Sequence, residues 1–541
     1  MGKMLMAVLS GLVLLASSAN VHAQAKADKE AIRAHLNFLA DDLLEGRETG
    51  SRGYDIAARY VAAQFGQYRL APKGDKAGFF QHVPMRLTSM VPGSALVEIE
   101  TAAGAERLTY GSDYYVDFSE GADRSNAATP MVFIGYGIRA ERFKHDDYAG
   151  RDVKGKIVVV LRGKPSNFPT EEGAHFGSSR EKTKLALERG AVGMVFLYTP
   201  DLEKIRPFDG LRDDFTFPSA DWIDASGKAS NARPGLQDVV LLSLTGAKKL
   251  FAQADTKLDD IYAAAAANKP LPYFDLKKSL RLSRRTVSSE ISGSNVVGMI
   301  EGSDPRLKNE YVVFSAHLDH VGQMKEKSGD NIYNGAMDNA SGVATLIETA
   351  RLFSVAGRKP KRSILFIALT GEEKGLLGSD FFARNPTVPA GSIVANVNLD
   401  MPLLTFDFKN VMAFGAEHSS LKGNVQRAVT AMGLDLIPDP WPAQGLFTRS
   451  DHYSFVRQGI PSIFLATGMA SFKKDENAGK LWEEFLGKHY HKPSDDLKLP
   501  FNFDAAARFA QVNYNIGREI ANAPNKPTWN KGDFFGDTFR K

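Results

Sequence analysis

From Asn295 onward the sequence alternates apolar runs with amphipathic segments, and this alternation limits the possible folds more than any other feature. Continuous apolar runs rich in Val and Ile are typical of strands buried on both faces. Segments 340–356 and 504–522 have the apolar spacing of helices, and we expect Asp504 to cap the second one. The pattern predicts an α/β domain built on a helix-covered mixed, largely parallel β-sheet. The predicted strands are NVVGMIEG, EYVVFSA, RSILFIALT, SIVANVNLD and PSIFLAT.

Histidines and acidic residues lie where these predicted strands end. Because the carboxyl ends of parallel strands meet at one edge of a sheet, we expect these side chains to share a crevice. Uncompensated charge is costly to bury, so a chance accumulation of such groups there is a poor explanation. The groups are HLDH at 317–320 after YVVFSA, Glu372 and Glu373 after ILFIALT, Asp400 after ANVNL, AMDNASG at 336–342, and YHKPSDD at 490–496.

The chemistry of these groups favours a metal centre. Nitrogen and oxygen ligands without sulfur suit Zn²⁺, and Co²⁺ or Mn²⁺ can bind the same groups. Two histidines and three carboxylates are too many for one catalytic zinc with an open position, but they suit two metals that share a carboxylate. Neighbouring residues at a strand end point in different directions, so Glu373 can bind metal while Glu372 acts as a base. The alternative for this pair is a solvated loop.

The first residues, MGKMLMAVLSGLVLLASSANVHAQAK, have the pattern of a secretory signal peptide. Lys3 gives a basic start, residues 4–16 are apolar, and Val-His-Ala forms a cleavage site. We predict removal of residues 1–23, which would leave a periplasmic or secreted protein without a membrane anchor. An uncleaved anchor is the alternative, although the apolar part is short for a bilayer span.

The remaining chain is long enough for several domains. Segment 127–276 contains the runs MVFIGYGI, KIVVVLRG and GMVFLYTP, and we expect it to fold as its own small β-rich module. The formal charge of +4 comes from 67 basic and 63 acidic residues without a basic block, so we expect no nucleic-acid partner. Zero cysteines exclude disulfides and thiolate ligands. The predicted divisions are a main domain in two parts, 24–126 and 277–524, the insert 127–276, and a C-terminal tail, 525–541.

The motifs HLDH, GAMDNASG, GEEKGLLGS, NLDM, SDHYSF with GIPSIFL, and YHKPSDD together resemble the zinc exopeptidase family. That family contains the secreted bacterial leucyl-type aminopeptidases and glutamate carboxypeptidase. ADDLLEGRETGSRGYDIAARY is similar to the family's N-terminal segment, so the resemblance covers residues 29 to about 126 and 287 to 522. The insert, through YGI, DVKGKIVVVLRG and ERGAVGMV, resembles a protease-associated domain. The resemblance implies a zinc exopeptidase-like fold and a zinc metallopeptidase activity.

The resemblance also implies which residues bind two Zn²⁺ ions. His317 and Asp400 would bind the first ion, and Glu373 and His491 would bind the second. Asp338 would bridge the two ions, and the peptide bond after it would be cis, a strained geometry that is common at functional sites.

Three further residues acquire catalytic roles from the resemblance. Glu372 would be the general base, and Asp319 would orient His317 and raise its basicity. Tyr490 would polarise the substrate carbonyl or stabilise the oxyanion. Two other histidines of the motifs are expected to hydrogen-bond near the ligands without binding metal: His320 and His452.

The expected function is that of a secreted or periplasmic two-zinc aminopeptidase. It would hydrolyse N-terminal residues from peptides with a free N-terminus, using metal-activated water and Glu372. Within the same fold the alternatives are a carboxypeptidase, for which Arg449 is a candidate carboxylate-binding group, and a glutaminyl cyclase with one zinc. A noncatalytic peptide-binding protein is a third alternative. The sequence indicates neither the preferred side chain nor the oligomeric state.

Overall fold

The computed structural model describes residues 25–118, 123–212, 215, 217–233, 235–236, 238–324 and 328–540. The predicted signal peptide, 1–23, lies outside these residues. Among the helices of the described part, none combines the length and the apolar composition needed to cross a membrane.

The larger of the two main sheets contains the strands predicted from the apolar runs. Its four central strands, from Ser363–Leu369 across to Ser462–Thr467, run parallel to one another. Most outer pairs are antiparallel, so the predicted mixed sheet is confirmed, with its parallel pairing at the centre. In order across the sheet the strands are Ser219–Trp222, Phe80–Met90, Thr286–Ile300, Ser363–Leu369, Tyr311–His317, Ile393–Leu399, Ser462–Thr467, Asn410–Phe414 and Asp435–Ile437, with Ala71–Pro72 paired to Thr286–Ile300.

Helices cover both faces of the central strands, whose residues are all buried. Phe314 and Phe366 point to one face and pack with the N-terminal helices and with helix Phe503–Asn522. Val313 and Leu365 point to the other face. The helices around this sheet are Lys29–Leu39, Arg52–Gln67, Ser341–Val355, Leu377–Arg384, Leu421–Thr430, His452–Val456, Ala478–Lys488, Phe503–Asn522 and Phe534–Phe539.

The cap of helix Phe503–Asn522 differs from the prediction. The Asn502 side chain accepts a hydrogen bond from the main-chain N–H of Ala505 at 3.0 Å, so Asn502 is the N-cap residue. Asp504 lies inside the first turn and pairs with Lys29 at 2.8 Å. The helix begins one residue earlier than the apolar pattern indicates, and Asn caps as well as Asp.

The second sheet contains the insert. Its core combines buried residues of the apolar runs 131–133, 157–161 and 193–197. In order, the strands are Gly104–Arg107, Leu96–Thr101, Phe274–Arg284, Thr129–Phe133, Ile157–Leu161, Gly193–Leu197, Asp238–Leu242 and Tyr114–Val116, with Arg124–Ser125 paired to Phe274–Arg284. Its helices are Thr170–Gly177, Ser179–Glu188, Pro200–Ile205, Leu244–Phe251 and Leu258–Ala266.

This sheet is not confined to the predicted insert range of 127–276. Strand Leu96–Thr101 pairs with Phe274–Arg284, and Tyr114–Val116 also belongs to the second sheet. In the other direction, Ser219–Trp222 of the insert pairs antiparallel with Phe80–Met90 of the larger sheet. The prediction of a module that folds apart from the larger sheet is therefore wrong. The apolar pattern of a short strand shows that it pairs, but not with which sheet.

The predicted C-terminal tail is packed against the rest of the chain. Trp529 and Phe535 are buried. Phe534 lies against His175 and Phe176 of helix Thr170–Gly177, with ring centroids 5.4 Å and 5.2 Å apart. The tail therefore joins the insert to the larger domain.

His418 lies at the same junction and links three parts of the chain. Its Nδ1 is 2.5 Å from Asp533 Oδ2 in the tail, and its Nε2 contacts Glu171 of the insert. Burial alone would lower the pKa of His418, but the hydrogen bonds with Asp533 and Glu171 raise that pKa to about 10.

Candidate metal centre

The predicted ligands lie at the carboxyl ends of the central parallel strands, where open α/β sheets bind their ligands. Three of these ligands lie at the end of a central strand or in the loop that follows it. The fourth lies in the turn before a helix, and the fifth lies in the loop after another helix. They are His317 at the end of Tyr311–His317, Glu373 after Ser363–Leu369, Asp400 after Ile393–Leu399, Asp338 before Ser341–Val355 and His491 after Ala478–Lys488.

The carboxylate of Asp338 lies between two histidines. Its Oδ1 is 3.2 Å from His317 Nε2, and its Oδ2 is 3.2 Å from His491 Nε2. His317 Nε2 is also 3.2 Å from Asp400 Oδ1, and His491 Nε2 is 3.1 Å from Glu373 Oε2. Each histidine therefore faces Asp338 and one further carboxylate, which is the grouping that the family resemblance implied.

The donor set around His317 fits a metal cation. The main-chain oxygen of Asp319 lies 3.1 Å from Nδ1 and can only accept, so Nδ1 donates and Nε2 faces the carboxylates of Asp338 and Asp400. Burial lowers the pKa of His317, but the charges of Asp400 and Glu372 raise it well above its usual value. The site thus favours a positive charge at Nε2, and zinc bound by nitrogen and oxygen would supply it.

Glu372 and Glu373 have different surroundings although they are neighbours. Glu373 Oε1 is 2.7 Å from His320 Nδ1. Burial alone would raise the pKa of Glu373, but His491 and His320 lower that pKa well below its usual value. Burial raises the pKa of Glu372 well above its usual value. The charge of His317 lowers this pKa, and the negative charge of Glu373 raises it further. One carboxylate is paired with histidines, and the other favours holding a proton. The two neighbouring carboxyl groups therefore differ in their tendency to ionise, which is compatible with one as a ligand and the other as an acid–base group.

The carboxylate of Asp319 differs from the prediction. It accepts hydrogen bonds from the main-chain N–H groups of Glu372, at 3.2 Å, and Glu373, at 3.3 Å. The His317 ring is oriented by the carbonyl of Asp319 instead of by its side chain. The turn after His317 directs the side chain toward the neighbouring loop, so Asp319 positions the glutamate pair.

The other predicted side chains divide into two groups. The Tyr490 ring stacks on His491 with centroids 3.9 Å apart, and burial raises the pKa of Tyr490 to about 12. His320 contacts Glu373, as expected. His452 instead packs against aromatic rings, those of Phe447 and Phe464, away from the contacts that join the predicted ligands.

Sequence comparison then identifies the family. Residues 295–516 match the profile of peptidase family M28, and residues 122–227 match that of the PA domain. The chain contains a peptidase family M28 domain, and its insert contains a PA domain.

Two curated proteins illustrate the similarity of this M28 chain to others. A probable zinc metalloprotease of Pyrenophora tritici-repentis is 38% identical over 270 residues, which cover 43% of this chain and 58% of that protein. Leupeptin-inactivating enzyme 1 of Streptomyces exfoliatus is 29% identical over 245 residues, covering 41% of this chain and 48% of that protein. The chain therefore spans about half the length of the curated relatives it matches.

A solved structure, the aminopeptidase from Aneurinibacillus sp. strain AM-1, has a similar fold. The TM-score is 0.53 at 18% identity, and the match covers 93% of this chain and 95% of that chain. The two chains therefore share a fold over most of their length.

The turn that carries Asp338 in this M28 domain is held by a residue that sequence analysis missed. Asp495 accepts hydrogen bonds from the main-chain N–H groups of Met337, at 2.8 Å, and Asp338, at 3.0 Å. The Asp338–Asn339 peptide bond is cis, so this implication of the resemblance is confirmed. Asp495 lies in the YHKPSDD motif, and its place there was the available signal.

A second missed group supports Asp400 in the M28 site. Ser450 Oγ donates to Asp400 Oδ2 at 2.6 Å, and Asn398 Nδ2 donates to Ser450 Oγ at 2.7 Å. Ser315 Oγ in turn donates to Asn398 Oδ1 at 2.7 Å. This buried chain of hydrogen bonds fixes one oxygen of Asp400 and leaves the other facing His317.

Proposed function

We propose that this M28 chain is a two-zinc aminopeptidase that removes N-terminal residues from peptides. One observation carries the proposal: the two oxygens of Asp338 face two different histidines, His317 and His491. A carboxylate in this position can bridge two ions. Each histidine also has a further carboxylate, Asp400 or Glu373, and this gives two similar ligand sets.

Zinc bound by these residues would polarise the scissile carbonyl and supply water that loses a proton near neutral pH. The proposed division of labour gives Glu372 the proton transfer. It accepts a proton from the attacking water and delivers this proton to the departing amine, so that it ends the cycle unchanged. The protonated hydroxyl of Tyr490 donates a hydrogen bond to the oxygen of the substrate carbonyl as that oxygen becomes negative.

Carboxypeptidase activity is the second candidate. Arg449 is exposed and lies near enough to Tyr490 for its charge to act on that group. A terminal carboxylate requires such a cation. We favour the aminopeptidase because one exposed arginine is a weak carboxylate site in water, where paired charges gain little.

Three substrate classes separate the candidates. Zinc-loaded protein should cleave aminoacyl anilides and free peptides from the N-terminus, and N-acetylation should abolish cleavage. Cleavage of N-blocked peptides from a free C-terminus would replace the proposal with a carboxypeptidase. Cyclisation of N-terminal glutamine, with one zinc per chain, would replace it with a glutaminyl cyclase. Tight peptide binding without turnover would replace it with a binding protein.

We also propose that the protein is exported to the periplasm or the medium. The basic start, the short apolar run and the Val-His-Ala site of residues 1–26 support this. Cell fractionation and N-terminal sequencing test it. The expected result is an exported protein beginning near Gln24, and a cytoplasmic protein with an intact N-terminus would contradict it.

A further inference from the structure

The turn at Glu45–Arg47 lies between two loops that carry predicted metal ligands. One loop follows His317, and the other precedes Asp338. The main-chain oxygen of Arg47 accepts a hydrogen bond from the N–H of His320 at 3.3 Å. The turn belongs to the N-terminal segment, far from both loops in sequence.

The side chain of Arg47 joins the same two loops. Its Nε donates to the carbonyl of Leu318 at 2.9 Å. One terminal nitrogen donates to the carbonyl of Asn334 at 2.5 Å and also contacts that of Leu39, and the other donates to the carbonyl of Gly335 at 3.1 Å. Only a planar guanidinium offers several donors in this fixed arrangement.

The backbone of the turn is shaped for this position. Glu45, Gly46 and Arg47 all have left-handed φ, at 49°, 70° and 49°. Such values are uncommon outside glycine, and strained backbone tends to occur where function requires it. A Cβ on Gly46 would clash with the main-chain oxygens of Gly322 and Tyr333, one from each loop. The turn therefore fits closely between the loops.

The charge of Arg47 also suits the site. The side chain is 1% exposed and makes its hydrogen bonds to main-chain carbonyls. Burial lowers the pKa of Arg47 to about 10, and the charges of Asp495, Asp319, Asp338 and Glu373 act against that change. A fixed cation that interacts with these carboxylates offsets part of their mutual repulsion.

We propose that Arg47 is a positioning residue for the metal centre. It fixes the loop after His317 relative to the loop before Asp338, so that His317 Nε2 and Asp338 Oδ1 are held at the spacing a shared ion requires. The inference rests on the proposed metal centre, but not on the identity of the peptide substrate.

The test compares two buried arginines. Arg362 is also fully buried, and it donates to Glu310 at 2.6 Å and to the carbonyl of Ala523 at 2.5 Å, among residues outside the metal centre. Arg47→Met and Arg362→Met each remove a buried guanidinium. Zinc affinity is measured by competition with a chelator, the absorption spectrum of the Co²⁺-loaded protein reports ligand geometry, and thermal unfolding of metal-free protein reports stability.

Arg47→Met should weaken zinc binding by about 10–100-fold and alter the Co²⁺ spectrum, the usual effect of losing a group that orients ligands. Arg47→Lys keeps the charge but not the planar donors, so it should recover only part of the affinity. Arg362→Met should lower the unfolding temperature and leave zinc affinity and spectrum unchanged.

Unchanged zinc affinity and spectrum in folded Arg47→Met would overturn the proposal. If Arg47→Met does not fold, the same two measurements are made on Arg47→Lys, and unchanged values would again overturn the proposal. If neither variant folds, Arg47 is required for folding as a whole, and its assignment as a positioning residue of the metal centre is wrong. Failure of the wild-type protein to bind zinc would instead refute the metal centre itself. A wild-type protein that binds zinc but cleaves no peptide would leave the test of Arg47 in force.

Discussion

Asp319 Oδ1 accepts a hydrogen bond from the main-chain N–H of Glu372 at 3.2 Å. The bond connects the loop after one central strand to the loop after its neighbour, and it places the predicted base. Asp319→Asn presents its amide N–H to one of the two main-chain N–H donors, that of Glu372 or that of Glu373, in either orientation, so the glutamate loop should lose its alignment. We expect a loss of about 10–100-fold in kcat or zinc affinity, measured together on one preparation. Unchanged values for both would show that the loop holds its position without Asp319.

Glu372→Gln and Glu373→Gln form a matched pair. Both replace a carboxyl group with an amide of nearly the same size at adjacent positions, so general effects of the substitution on folding should be similar. Glu372→Gln should retain zinc and lose about 10²–10⁴-fold in turnover, as expected for a positioned acid–base group. Glu373→Gln should lose zinc and regain part of its activity when zinc is in excess. Equal, small losses in the two variants would support the solvated loop.

The ligand grouping predicts how many ions each variant keeps. His317→Ala and His491→Ala should each lower the zinc content by about one ion per chain, because each histidine serves one ion in the proposed centre. Asp338→Asn should weaken binding of both ions, since both histidines face this carboxylate. Elemental analysis after dialysis against a fixed free-zinc concentration measures this. A loss of all zinc in either histidine variant would indicate a single site.

His418 should make stability depend on pH. Its pKa is raised from 6.5 to about 10, so the protonated ring stabilises the folded state fully below pH 6.5, and this contribution falls as pH rises toward 10. His418→Gln should lower the free energy of unfolding by about 1.5–3 kcal/mol near pH 6.5 and by little near pH 10. Thermal unfolding across this range tests it. His82→Gln is the control, because His82 is exposed, and a pH-independent difference for His418→Gln would contradict the assignment.

The sequence was informative where one pattern determined one structure. The buried runs located the central strands, and the residues after them, such as Asp400, had to lie at one edge of the sheet. The sequence was less informative where contacts between distant segments determine the direction of a side chain or the partner of a strand. The direction of the Asp319 side chain depends on a neighbouring loop that the local sequence does not specify. Ser219–Trp222 could not be assigned to a sheet, because the apolar pattern of a short strand is the same in either one.

The pairing of Ser219–Trp222 with residues 85–88 has a consequence for how the sheet meets its surroundings. Strand Phe80–Met90 would otherwise present unpaired N–H and C=O groups along that side. Such an open strand is a template on which another chain can add, and natural proteins cover it. The PA insert covers this one by donating a short strand of its own. Excising the insert would therefore leave a domain prone to self-association through strand addition, even if the metal ligands kept their places.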